Sequence, residues 1–568
     1  MKTRTRLLSA AAGALLAGFA LAALPSDAVP TVGAVAPARP GRPNPADAAP
    51  TATPIKHLVV IYDENVSFDH YFATYPQAKN PPGEPTFTAA PGTPFVNNLL
   101  NAHLLTNNPN FTNPANGAAA AEPFRLDRSQ AATADQDHGY TAEQQAYDHG
   151  KADLFPKYTG KGTPGRASAF GTRGQVMGYF DGNTVTALWN YARHFAMSDN
   201  AYTDTYGPST PGALEVVSGQ TNGVRLVATT KKPFTLAVPS YFINDGAGAL
   251  TLISDVDPAY DVCSNHANQV MMEGKNIGDL LNKAGLTWGG FMGGFDLAGR
   301  NANGTTGCRR STYSSVMHRA ITDYIPHHNW FQYYASTANP THARPASVAD
   351  IGYSFAHDGK PDPANHEYGL RDFYAAVKAG DLPAVSYIKQ PGYQDGHAGY
   401  SNPLDEQTGI VTLVNFLERQ PNWKSTAVII TWDDSDGWYD HAFATPTNPS
   451  FDKEADQLDG PGRCGTGTPL PGLAGKPVNG RCGPGTRLPF LVISPWAKVN
   501  NVNHARISQA SVVRFIEDNW LHGERLGGGS FDATAGSIMG MFDFSSAGGK
   551  NPPLILDPAT GEIAKGTQ

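Results

Sequence analysis

The segment Thr426-Ala-Val-Ile-Ile-Thr-Trp432 is apolar, rich in β-branched residues and flanked by polar stretches. That pattern predicts a strand buried on both faces. Ile55 to Tyr62, Leu382 to Ile388 and Leu488 to Pro495 read the same way. Between them the apolar period changes. Val185, Leu188, Trp189 and Ala192 fit an amphipathic helix, as do Ile410, Leu413, Val414 and Leu417, and Gln509 to Leu521 reads as a closing helix. Strands alternating with helices predict an α/β protein with a mainly parallel central sheet flanked by helices. Residues 80–125 and about 225–345 lack either period and read as long, loop-rich insertions.

Several predicted strands end in chemistry. The 426–432 run meets Asp433-Asp434, then a turn, then Asp440-His441. Adjacent carboxylates repel, so the pair is either an acidic solvated turn or one wall of a cation site built from hard oxygen ligands. The 55–62 run ends in Asp63-Glu64-Asn65, which alone reads equally as a helix cap with an acidic first turn. Ser209 and Thr210 precede Pro211, a residue suited to a helix's first turn, so they sit where backbone N–H groups attract an anion. The 382–388 run leads to Asp395-Gly-His397. His138, in Asp135-Gln-Asp-His138, alone reads as a cap or solvated residue, and His327-His328 as packing or phosphate contacts. Four polar strand ends together argue for one site beyond the carboxyl edge of the sheet.

Composition narrows the class. Of 568 residues, 40% are hydrophobic and only 16% charged, as in a globular protein with a sparsely charged surface. Lys2, Arg4 and Arg6 precede an Ala/Leu/Gly run from Leu7 to Leu24, which reads as a signal peptide over 1–28. Its removal leaves no apolar run long enough for an integral membrane segment. A Pro/Ala-rich, disordered leader is expected over 29–54, a catalytic domain over 55–545 and a C-terminal tail over 546–568. The net charge of −8 argues against a nucleic-acid partner. Four cysteines in an exported chain suggest two disulfides. Of three connectivities, the local one, Cys263-Cys308 and Cys464-Cys482, is preferred, because each pair brackets an irregular region.

Glu64-Asn65-Val-Ser-Phe-Asp-His-Tyr-Phe72, Gly207-Pro-Ser209, Asp395-Gly-His397 and Trp432-Asp-Asp434 ahead of Asp440-His441 resemble the bacterial phosphoesterase family. That family includes secreted phospholipases C and related acid phosphatases on an alkaline-phosphatase-like α/β core. The resemblance runs from about Ile55 to Leu521. It implies that Glu64, Asn65, Asp433, Asp434 and Ser209 hold one divalent metal ion (Mg, Ca, Mn or Zn), with Ser209 as nucleophile. It implies that His138, His328 and His397 line the phosphate pocket, with His327 as a rival for the second role. Asp434, where many phospholipases carry Glu, and Gly212, where they carry Asn, favour the acid-phosphatase branch.

The expected activity is hydrolysis of small phosphomonoesters through a phosphoseryl intermediate. A histidinium, His397 or His138, would protonate the leaving group, and an unperturbed His would then give an acidic optimum. The first alternative is a phospholipase C acting on phosphatidylcholine or sphingomyelin, in which Trp330, Trp432, Trp438 and Tyr439 either cage a quaternary ammonium or simply pack. The second is a surface or binding protein that has lost catalysis. Either enzyme would be secreted or periplasmic.

Overall fold

Seven consecutive buried residues, His57–Asp63, form the strand around which the sheet is built. The computed structural model describes residues 44–227, 235–237, 240–244, 249–546 and 548–565. The signal peptide and most of the leader expected from the sequence lie outside these residues. In chain order the central sheet contains β1 (His57–Asp63), β2 (Ala196–Tyr202), β3 (Trp288–Met292), β4 (Glu367–Gly369) and β5 (Val385–Lys389). It continues with β6 (Thr426–Trp432), β7 (Arg487–Ile493), β8 (Asn501–Asn503) and β9 (Ile507–Ser508). Their order across the sheet is β4-β3-β5-β1-β6-β7-β2-β8, with β9 also on β2.

Strands β4, β3, β5, β1 and β6 are parallel, so their carboxyl ends share one edge. β1, β5 and β6 are buried along their whole length, because helices cover both faces of a parallel sheet. The register sets the site: Asp63 pairs with Trp432, which brings Glu64 beside Asp433.

β7 departs from the parallel expectation. It runs antiparallel to both β6 and β2. A parallel return needs a crossover to the far edge. Residues 433–486 instead form an excursion without an α-helix, and the chain re-enters the sheet at the edge it left. The middle insertion holds a five-stranded sheet over Asn222–Val227, Phe242–Asn244, Leu250–Leu252, Asp257–Pro258 and Gln269–Met272. These strands are too short to impose a visible period.

Two boundaries shift. Residues 44–54, assigned to the leader, are packed: Pro45–Ala48 is a helix capped by Asn44, and Thr53 N–H donates to Asn519 Oδ1 at 2.9 Å. Residues 548–565 do not stand apart either. Leu554 and Leu556 belong to the main core, and their N–H groups donate to Glu418 and Asn415 on the helix Pro403–Glu418. Apolar side chains at 554 and 556 outweigh the polar composition around them. Cys263 is joined to Cys308 and Cys464 to Cys482. Among the described residues no helix is long and apolar enough to cross a membrane.

Candidate active site

The helix α1 (Ser209–Ser218) begins at the carboxyl edge of the sheet, with Ser209 at its first position and Pro208 before it. All ten of its residues are buried. Ser209 Oγ lies 2.8 Å from Glu64 Oε2, 3.3 Å from Asn65 Oδ1 and 3.2 Å from Asp434 Oδ2. Asn65 adopts a left-handed backbone (φ 66), which asparagine tolerates better than most residues. Its N–H donates to Asp433 Oδ1 at 2.9 Å, closing the ring of groups drawn from β1, β6 and α1.

A hydroxyl has one proton, and three acceptor oxygens surround this one. Two of the three contacts therefore set lone pair against lone pair unless a cation or an extra proton intervenes. Asp433 Oδ2 is buried without a hydrogen-bond partner. Burial raises the Asp434 carboxyl well above its usual range, and Asp433 raises it further. Glu64 is raised by the same causes. Asp433 itself ends below the usual value: burial opposes ionisation, but Lys389 and the N–H groups of Asn65 and Asp434 prevail. The pocket is an all-oxygen donor set with more acceptors than protons, and these residues fit a hard divalent ion.

Lys389, the last residue of β5, joins these carboxylates and is not among the residues the sequence predicts. It is buried, and its Nζ contacts Glu64 Oε1. His328 Nδ1 approaches that oxygen at 3.1 Å. Glu64 thus has one oxygen tied down and Oε2 free for the site. Burial lowers the His328 pKa well below the ordinary value, with help from neighbouring His327 and Lys389. His327 turns away, its Nδ1 3.5 Å from Asp257 Oδ1.

His138 and His397 stand together, ring centroids 5.9 Å apart, on the far side of Asn65. His138 Nδ1 lies 3.1 Å from Gln136 O and 3.4 Å from Asp436 Oδ1, and its Nε2 lies 3.5 Å from Asn65 Nδ2. Burial disfavours its charge, but Asp436 and Asp135 outweigh that and raise the pKa to about 9. His397 goes the other way, lowered to about 4 by burial. Of the two candidate proton donors, His138 is the cationic one. Asp436, which reads from sequence as a turn residue, does sit in a turn (φ 54) but is fully buried and accepts from Asn65 Nδ2 at 3.1 Å. It orients both Asn65 and His138.

Two further carboxylates shape the site. Glu143 accepts from Gly207 N–H at 3.1 Å and Ser435 Oγ at 2.5 Å, tying the turn before the nucleophile to the loop after β6. Asp255 accepts the N–H of Thr210 at 2.8 Å, so the donor expected to hold a phosphate oxygen already has a partner. A cleft of ≈ 360 Å³, lined by Asp137, Tyr140, Ser254 and Glu454 among others, lies beside His138 and Asp255.

Among the described residues three groups of His, Asp or Cys side chains away from Ser209 compare with it as cation sites. Asp135, His138, His397 and Asp436 place ligand atoms within 4.8 Å of one another. The Asp69, Asp440 and His441 group already holds the buried Arg487 guanidinium. In the Asp261, Cys263 and His342 group the sulfur is committed to a disulfide. Trp330, Trp432, Trp438 and Tyr439 are all buried, and Trp438 stacks on His70 at 3.9 Å. They pack; they do not form a cage.

Residues 55–521 match the Phosphoesterase family, and the chain belongs to it. It is similar to the non-hemolytic phospholipase C of Burkholderia pseudomallei, 24% identical over 89% of this chain and 61% of the relative. It is also similar to phospholipase C B of Mycobacterium tuberculosis, 21% identical over 90% of this chain and 82% of the relative. A non-hemolytic phospholipase C of Pseudomonas aeruginosa aligns at 26% identity over 34% of this chain and 28% of its own length. The solved structure of murine ectonucleotide pyrophosphatase/phosphodiesterase 5 overlaps with TM-score 0.28 and 12% identity, covering 63% of this chain and 95% of that one. That likeness is too slight to add to the fold described above.

Proposed function

We propose that the protein is an exported phosphoric ester hydrolase that cleaves phosphomonoesters through a phosphoseryl intermediate. The observation that carries this reading is the position of Ser209 Oγ among Glu64, Asn65 and Asp434 at the start of a buried helix. Glu64, Asn65, Asp433, Asp434 and Ser209 would hold a divalent ion. When bound, the ion offsets phosphoryl charge and makes the serine hydroxyl more acidic.

The chain's own groups supply the rest. Ser209 Oγ attacks phosphorus as the bond to the leaving oxygen breaks. Its proton leaves to solvent, because Glu64 and Asp434, the carboxylates nearest Oγ, would be engaged as ligands. His138 gives a proton to the departing alkoxide. Water then attacks the phosphoserine while the neutral His138 accepts its proton, and Ser209 regains a proton from solvent as phosphate leaves. Because Asp436 and Asp135 hold His138 protonated through neutral pH, an acidic optimum does not follow from this histidine.

A second reading, phospholipase C, is favoured by the names of the relatives. The buried aromatics speak against a quaternary-ammonium cage of the kind considered. Phosphate release from a phosphomonoester panel, run beside diacylglycerol release from lecithin vesicles, separates the two. Absence of both activities would leave the inactive binding protein. Two disulfides support export to an oxidising compartment.

A further inference from the structure

Asp255 belongs to the middle insertion, between the short strands Leu250–Leu252 and Asp257–Pro258, and is half-buried. Its Oδ1 accepts the N–H of Thr210 at 2.8 Å. That N–H immediately follows the nucleophile and is one of the orphan donors at the start of α1. A phosphoryl group on Ser209 would call on the same donor for one of its oxygens. One N–H directed at one point does not serve two anions.

The carboxylate is also loosely held. Among the described residues no Lys, Arg or His nitrogen forms an ion pair with it, and Thr210 N–H is the partner the geometry supplies. Yet it sits at the site: its Oδ1 is bonded to the backbone of the residue next to Ser209, and its charge contributes to the raised pKa of both His138 and His327. A structural cap would be expected on the outside of a helix start, away from the chemistry. This one holds the first backbone N–H after Ser209.

We propose that Asp255 is an internal competitor for phosphate: it occupies the Thr210 N–H in the empty site, yields to the phosphoryl oxygen, and returns to help expel the product. The inference rests on Ser209 as the phosphate-bearing residue. It makes Asp255 a residue that sets phosphate affinity and product release.

Inorganic phosphate is the probe, with the full chain as wild type, Asp255→Asn and Asp255→Ala. Asn keeps an oxygen acceptor for the N–H and removes only the charge; Ala frees the donor. Phosphate affinity is read by calorimetry and as Ki against p-nitrophenyl phosphate, with melting temperature measured alongside. Both constants should fall about tenfold or more in both variants, a shift of about 1.4 kcal/mol. A folded pair of variants whose phosphate affinity is unchanged or weaker than wild type, while wild type turns over substrate, overturns the proposal alone and leaves Asp255 as a helix cap. A wild-type chain that neither hydrolyses the ester nor binds phosphate overturns the Ser209 reading and this inference together.

Discussion

A Cβ placed on Gly212 would stand 2.2 Å from the carbonyl oxygen of Asp433. The helix carrying the nucleophile thus rests directly on the backbone of a proposed metal ligand. Tyr62 locks the contact by donating to Gly212 O at 2.8 Å, and Gln509 Nε2 donates to Asp433 O at 2.5 Å. Gly212 has an ordinary backbone conformation, so the need for glycine here is steric. Gly212→Ala should push α1 away from β6 at a cost of about 1–3 kcal/mol. It should lower turnover at least about tenfold, because Ser209 and Asp434 separate. A melting curve and a chromogenic phosphate assay check it; wild-type values in both would contradict the packing account.

Among the described residues Lys389 is the one lysine or arginine paired with Glu64. Burial disfavours its charge, but Glu64, Asp433 and Asp395 together raise its pKa. Removing one partner of a buried pair leaves an uncompensated charge, typically at about 3–5 kcal/mol. Lys389→Met should therefore lower stability and, in whatever fraction folds, turnover by about 10²-fold or more, while Lys389→Arg should be less damaging to stability. Urea unfolding of the three proteins tests the order; a Met variant as stable as wild type would remove the lysine from this role.

The strands that frame the site were legible because each is buried on both faces and must be apolar throughout. Their polar ends followed: Glu64, Asn65, Ser209, Asp433 and Asp434 converge as a parallel sheet requires. The missing residues are single polar groups brought in by tertiary placement. Asp255 comes from a loop between strands too short to show a period, and Glu143 from a helix whose exposed and buried faces differ little in composition. Lys389 did leave a signal, a lone cation ending an apolar strand. The direction of β7 depended on the path of residues 433–486, which carries no periodic mark.

Stability should fall as pH rises from 6.5 to 8. Burial raises Glu406 to about 8, Glu418 to about 7 and Asp204 to about 6. The native state keeps these protons where the unfolded chain has released them, so their stabilisation is full below about pH 4 and lost as pH passes each folded value. His70 and His366, lowered by burial to about 3 and about 4, act in the opposite sense, but only below about pH 6.5. Between 6.5 and 8 the carboxylates act unopposed by those two histidines. Melting temperature measured across that window should decline, and Glu406→Gln should flatten the decline; a rising curve would refute the assignment.

A divalent ion that binds the native pocket must stabilise it by mass action, by about 2.7 kcal/mol at a hundred times its Kd. Chelated protein should therefore melt higher when Mg, Ca or Mn is restored, and Asp434→Asn should abolish most of that gain without needing any assay of turnover. Equal melting of the chelated and restored wild type would argue against a cation among these oxygens.

The central claim is that Ser209 becomes phosphorylated. Acid quenching during turnover of p-nitrophenyl phosphate, followed by mass spectrometry of the peptide containing Ser209, tests it directly. The expected product is a peptide heavier by one phosphoryl group, absent from Ser209→Ala, whose turnover falls by at least about 10³-fold. Wild-type turnover in Ser209→Ala, or a phosphoryl group trapped on a different residue, would contradict it.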